Sequence, residues 1–118
     1  KPRFSMTPRD EVSLRQMLDH AEEARQLAAG RSRADLDSDR LFNLAMTRLL
    51  EIVGEAAGRV SQPTRDRYPQ IAWPRIVGLR NRLTHGYDQV DCDILWAIIQ
   101  KDLPHLIAEL KAIVADNG

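Results

Sequence analysis

Among its 118 residues the chain has one cysteine, Cys92, so no intrachain disulfide can form and a reducing cytoplasm is the expected setting. Formal net charge is zero, which argues against a basic coat that would bind nucleic acid over the whole surface. No apolar run is long enough to span a membrane, and no signal peptide opens the chain. β-branched residues nowhere alternate with period two for long, so strands are not expected. Internal repeats, low-complexity tracts and a glycine-rich phosphate loop are also missing. What remains is the composition of a globular domain, 43% apolar, and its length suits one hydrophobic core. We expect a single domain over residues 1–118, with residues 1–7 flexible or trimmed.

The charge that is present is unevenly placed. Between residues 63 and 87, Arg65, Arg67, Arg75, Arg80 and Arg82 face only Asp66, a local net of +4. Between residues 88 and 102, Asp88, Asp91, Asp93 and Asp102 face only Lys101, a local net of −3. A basic segment abutting an acidic one suits a focused anion site.

The pattern reads as helices throughout. Thr7-Pro8-Arg9-Asp10 offers an N-cap, a proline at the first helical position and an acid in the first turn. Leu14, Met17, Leu18, Ala21, Ala24 and Ala28 follow at helical spacing, with Gly30 as the stop. Residues 31–35 read as a linker. A second helix is expected from Asp37 to Val60, with a stripe of Phe42, Ala45, Leu49, Ile52, Val53, Ala56 and Val60. Leu41, Leu44 and Ala57 widen it enough to suggest burial on more than one side. Residues 63–73 read as irregular, with one short helical turn. A third helix is expected from Pro74 to Thr84, carrying Ile76, Val77, Leu79, Arg80 and Leu83. Asp91 caps a fourth, whose apolar face runs from Leu95 to Val114, and Pro104 should kink or break it near Asp102. The simplest fold is an all-α, up-and-down four-helix-type bundle with a short extra helical turn.

Chemistry concentrates in Arg80-Asn81-Arg82-Leu83-Thr84-His85-Gly86-Tyr87. Arginine is a fork that fits phosphate oxygens, and histidine moves a proton near neutral pH. In the last turn of a helix His85 would be biased toward its charged form by the carbonyl dipoles. On a straight helix Arg80 and His85 are about 140° apart, while Asn81 and His85 share a face. Two solutions exist: the helix unwinds at Thr84–Gly86, or a second subunit supplies matching groups across a two-fold axis. His85 would serve as general base on a ribose 2′-OH or general acid on the leaving 5′-oxygen, and Arg80 would neutralise the phosphate.

Other residues read as structural. Glu51 and Glu55 are four apart, but no histidine follows at the spacing of a di-metal site. Glu55 is instead a candidate to hold an arginine of the third helix. His20 and His105 read as solvated or capping, Trp73 and Trp96 as core or interface anchors, and Gly54, Gly58 and Gly78 as points of close helix approach. At a helix start, the Cys92 thiolate would be favoured, yet no His or Asn partner spacing supports a nucleophile.

Glu51-Ile-Val-Gly-Glu-Ala-Ala-Gly-Arg-Val-Ser61, then Tyr68-Pro-Gln-Ile-Ala-Trp73 and Pro74-Arg-Ile-Val-Gly-Leu-Arg-Asn-Arg-Leu-Thr-His-Gly-Tyr87, resembles the HepT-like branch of the HEPN proteins. The resemblance spans about residues 8–116, with Asp91-Cys-Asp-Ile-Leu-Trp96 and Leu103-Pro104 also fitting. It implies a dimerising helical bundle with the Arg-x4-His-x-Tyr motif at the dimer cleft. It implies a metal-independent, cofactor-free ribonuclease, the toxin of a toxin–antitoxin pair. Its antitoxin is a minimal nucleotidyltransferase that adenylylates the motif tyrosine. Carried over by position, Arg80, Asn81 and His85 are the catalytic set and Tyr87 the modified residue. The expected partners are RNA, the antitoxin and a second copy of the chain, with no membrane. Two other readings stand beside this one: a non-catalytic subunit that docks a nucleotidyltransferase or binds nucleotide, and a structural helical adaptor. The neutral pI favours those two.

Overall fold

The computed structural model describes residues 4–84 and 90–117, and the protein is all-α over them. Thr7 caps α1 (Pro8–Ala28): its hydroxyl accepts the Asp10 N–H at 3.1 Å, and Pro8 occupies a position whose N–H would have no helical partner. All six apolar residues expected on this helix are buried. Gly30, at φ 75°, turns the chain out of the helix with a backbone that disfavours a side chain.

The expected linker at 31–35 is more ordered than its polarity suggested. It leads into a single helical turn, α2 (Asp35–Ser38), and then α3 (Arg40–Gly58) capped by Asp39 rather than starting at Asp37. Arg31 holds this junction, pairing with Asp35 at 3.2 Å and Asp39 at 2.9 Å while lying 4.0 Å over the Phe42 ring. A hydrogen bond from the Phe42 N–H, then the Arg31 guanidinium, keeps the Asp39 carboxyl below its ordinary range.

The core face of α3 keeps Phe42, Leu49, Val53 and Ala56 of the expected stripe but is widened by Met46 and Leu50 instead of Leu41 and Leu44. Phe42, Met46, Leu49, Leu50, Val53, Ala56 and Ala57 are buried, whereas Leu41 is 80% and Leu44 48% exposed. α1 packs along α3 and along the C-terminal helix, so α3 turns one side to α1 and leaves the side bearing Leu41 and Leu44 open.

Asp10 ties the start of α1 to the next connection. It is 1% exposed and accepts from the Ser61 N–H at 3.0 Å, the Ser61 hydroxyl and the Thr64 hydroxyl at 2.7 Å. Burial pushes its carboxyl up, but these bonds outweigh burial and leave it below the ordinary range. Ser61 and Thr64 lie at the start of α4 (Gln62–Arg67), the short helical turn expected within residues 63–73, which begins one residue earlier.

The expected helix from Pro74 to Thr84 is two short ones, α5 (Trp73–Val77) and α6 (Leu79–Leu83), joined at Gly78. Both pack on α3. A Cβ at Gly54 of α3 would lie 3.1 Å from the Ile76 carbonyl oxygen, so glycine there sets the distance between the two layers.

Asp91 caps α7 (Cys92–Ala97) through the Asp93 and Ile94 N–H groups, at 3.0 and 3.1 Å. Pro104 does not break the helix that follows. A π-helical stretch, Ile98–Asp102, carries it into α8 (Leu103–Asn117). Pro104 has no N–H to offer, and its ring would crowd the carbonyl one turn back. In the wider register the Leu103 N–H bonds to Ile98 O, which leaves the Ile99 carbonyl without a backbone donor. Arg25 of α1 fills that place, its Nη1 donating to Ile99 O at 3.1 Å.

Candidate functional site

Arg80 and Asn81 lie on α6, and both are exposed. Leu79 and Leu83, on the opposite side of the same turn, are buried at 1% exposure each. The helix ends at Leu83, two residues short of His85. This end falls within one residue of the Thr84 end expected for the helix. Thr84 takes an extended conformation, with its N–H and its hydroxyl both bonded to Arg80 O at 3.1 and 2.9 Å. The expected charging of His85 by last-turn carbonyls, and its shared face with Asn81, fall on a residue outside the described ones. Thr84 is the first residue of the unwinding expected at Thr84–Gly86, and the rest of that segment lies outside the described residues. His85 and Tyr87 lie outside the described residues.

What flanks them is well defined. Thr84 and Val90 form an antiparallel bridge, and the Asp91 N–H bonds to Leu83 O at 2.8 Å. Thr84, where the chain leaves α6, and Val90, where it returns, therefore lie side by side. On the return side, Arg33 reaches Asp93 at 2.7 Å and also holds Asp37 at 2.7 Å. Asn43 of α3 donates to the Cys92 sulfur at 3.4 Å. Burial, with Asp37 adding negative charge, pushes the Cys92 thiol up, so the expected stabilisation of its thiolate is overturned.

Among the described residues, the abutting charge segments pair with each other at Asp102. A single oxygen of Asp102 receives Arg82 at 3.2 Å and Arg75 at 3.3 Å. Arg65 is spent on backbone, donating to Val60 O at 2.9 Å and to Ala57 O and Gly58 O at 3.2 Å each, and lies over Trp73 at 5.9 Å. Arg67 lies over Phe4. Among the described residues, Arg80 is the remaining arginine of this segment and takes part in no ion pair. An exposed guanidinium of this kind can meet an anion without first giving up an internal partner.

The other candidates fall into structural places. Glu55 pairs with Arg48 of its own helix at 3.2 Å, not with an arginine of the motif, and Glu51 stands 3.6 Å from the same Arg48. Among the described residues no three His, Cys, Asp or Glu side chains converge as metal ligands would. His20 bonds to Gln16 O at 2.7 Å, and His105 is exposed beside Glu109. Trp73 is buried with its indole N–H on Tyr68 O at 3.0 Å, and Trp96 packs partly buried against the core. No described helix is long and apolar enough to cross a membrane. Asp102 was not singled out in the sequence. The charge segregation pointed to its segment, but nothing in the spacing says which acid meets which arginine.

Together these features define a protein, all-α over the described residues, that presents an Arg-Asn pair on a one-turn helix beside the Thr84–Val90 bridge. A family model described as "Ribonuclease HepT-like" matches residues 17–113, and the chain belongs to this HepT-like family. A protein of Methanocaldococcus jannaschii named "Putative RNase" is 34% identical over 76 residues, covering 64% of this chain and 70% of the relative. A protein of the same description from Caldanaerobacter subterraneus is 34% identical over 85 residues, covering 72% and 76%. A "Probable ribonuclease HepT" of Thermococcus cleftensis is 33% identical over 79 residues, covering 67% and 72%. No solved structure matches the chain.

Proposed function

We propose that this protein is a metal-independent endoribonuclease, the toxin of a HEPN/nucleotidyltransferase toxin–antitoxin pair in the cytoplasm. The observation that carries the reading is Arg80, exposed on α6 and engaged in no ion pair among the described residues, in a chain of the HepT-like ribonuclease family. The 2′-oxygen of a ribose attacks phosphorus as His85 accepts its proton. The bond to the 5′-oxygen breaks, that oxygen is protonated, and the ends are a 2′,3′-cyclic phosphate and a 5′-hydroxyl. Arg80 holds the phosphate oxygens as charge builds on them, and Asn81 offers hydrogen bonds to the substrate.

The fold proposed for this work is an up-and-down four-helix bundle that pairs with a second copy. The open side of α3, with Leu41 and Leu44, supports that pairing, because large apolar side chains grouped on one exposed helix face favour a partner. Tyr87 is the proposed acceptor of AMP from a minimal nucleotidyltransferase. A phosphate attached there competes with RNA for Arg80. The neutral net charge supports a second reading, a non-catalytic subunit that docks the nucleotidyltransferase or binds nucleotide.

Cleavage assays on RNA in EDTA separate the two. The wild type should cut and leave cyclic phosphate ends, His85→Ala should abolish cutting with helicity unchanged, and Arg80→Lys should be severely impaired. Tyr87→Phe should cut yet take up no AMP when incubated with ATP and the partner enzyme. An activity that needs Mg²⁺ or survives the His85 change refutes the mechanism.

A further inference from the structure

We infer that Asp102 is a positioning residue for the Arg80 site, acting through Arg82. The inference rests on the ribonuclease reading above for its activity arm, and on the geometry of α6 for its structural arm.

α6 is one turn of five residues, and its N-cap, Gly78, supplies no side-chain hydrogen bond. Such a turn does not hold itself in place and must be held by its surroundings. Leu79 and Leu83 hold it along one line, because residues four apart lie one above the other on a helix. These contacts, with the Asp91 N–H on Leu83 O at the end of the turn, fix where the helix lies and resist a roll about its axis least. Arg82 and Arg80 leave the helix on opposite flanks of that line, each about 80° from it at 100° per residue. Whatever fixes Arg82 therefore fixes the direction of Arg80.

Asp102 is the described group that fixes Arg82. Both Nη atoms of Arg82 lie on one Asp102 oxygen, at 3.3 and 3.2 Å, and the two side chains are 27% and 25% exposed. Arg75 of α5 meets the same oxygen at 3.3 Å but is 55% exposed, so it contributes less. Asp102 is itself set in place, since it ends the π-helical stretch ahead of Pro104 that Arg25 secures. A roll of about 10° would carry a guanidinium some 8 Å from the helix axis by roughly 1.4 Å, and displacements of that size cost about a hundredfold in well-aligned reactions.

The test is Asp102→Asn, with Asp102→Glu, Arg82→Gln and the double change Asp102→Asn/Arg82→Gln beside it. Three quantities are read: kcat and KM on a fluorescent single-stranded RNA, thermal stability, and amide hydrogen exchange along the chain. Asp102→Asn should lower kcat about ten- to a hundredfold with KM within about twofold. Exchange should quicken at residues 80–84 and not in α1 or α3. Asp102→Glu should recover part of kcat, and the double variant should be no worse than either single one.

Unchanged kcat with unchanged exchange overturns the inference. So does a lower KM at constant kcat, which would make Asp102 a competitor of the RNA phosphate. Faster exchange throughout the chain in both Asp102→Asn and Asp102→Glu makes the residue a fold determinant and overturns it too. If the wild type does not cut RNA while exchange still quickens only at 80–84, the ribonuclease reading fails and the anchoring of α6 by Asp102 stands.

Discussion

Removing Asp10 is the sharpest test of what holds the N-terminal helix in place. Its carboxylate is buried and accepts three hydrogen bonds, from the Ser61 N–H, the Ser61 hydroxyl and the Thr64 hydroxyl. Asp10→Ala leaves three donors facing a small void. Each unsatisfied buried donor costs about 1–3 kcal/mol. The two hydroxyls stand 3.5 Å apart and can turn partly toward each other, which reduces the total. The expected loss is therefore about 3–4 kcal/mol. Asp10→Asn keeps the shape and keeps an oxygen for the Ser61 N–H. Its amide nitrogen meets hydroxyls that can rotate to accept, so it should cost about 1–2 kcal/mol. For a chain of this length a kcal/mol moves Tm by about 3–6 °C, so the alanine variant should melt about 10–20 °C lower. The pH dependence has a definite sign. The folded carboxyl lies below its ordinary range, so its contribution is full above the unfolded value near 3.9 and is lost as pH falls through the folded value. Thermal scans by circular dichroism should show a constant gap between wild type and Asp10→Asn from about pH 7 to 5, closing below about pH 4. An alanine variant within about 2 °C of wild type, or a gap that persists undiminished at pH 3, would refute the reasoning.

Two further predictions follow from the faces of α3. Gly54→Val drives branched carbons at the Ile76 and Val77 carbonyls, 3.1 and 3.6 Å from a Cβ, and should cost about 1–3 kcal/mol in urea denaturation, whereas Gly54→Ala should be near neutral because its gain in helix propensity offsets the contact. A valine variant with the wild-type urea midpoint would remove the close-approach argument. Leu41→Glu with Leu44→Glu should leave helicity intact and convert the proposed homodimer to monomer in sedimentation equilibrium; a variant that still sediments as a dimer places the interface elsewhere.

The parts of the fold that depend on neighbours in sequence could be read from it. Thr7 and Asp91 cap the helices they were expected to cap, and the α1 stripe is the buried one. The parts that depend on distant groups could not. α2 forms because Arg31 gathers Asp35 and Asp39, and a string of polar residues looks like a linker whether or not an arginine gathers it. Leu41 and Leu44 fit the periodicity of α3, and only the direction from which α1 approaches excludes them from the core. Pro104 announced a disturbance near Asp102, but a π-helical stretch replaced the break because Arg25 was in reach of the freed carbonyl. At the motif, Arg80 and Asn81 were legible as exposed groups on a helix. The end of the helix at Thr84 was legible as well; the break at Gly78, which leaves only one turn to carry Arg80, was not.

The Arg25–Ile99 bond also constrains the order in which the chain assembles. It joins residues 74 apart, so it can form only after the first and last helices have met. Until then the Ile99 carbonyl has no protein donor in the wide register, and a free C-terminal segment has reason to bend or fray ahead of Pro104 instead. The wide turn is thus a product of docking and not a preformed unit. The bond that secures the wide turn, and with it the place of Asp102 opposite α6, exists only where the first and last helices are joined. A nascent chain that has not yet added Asp102 therefore holds the sequence of the site without the group that fixes Arg82.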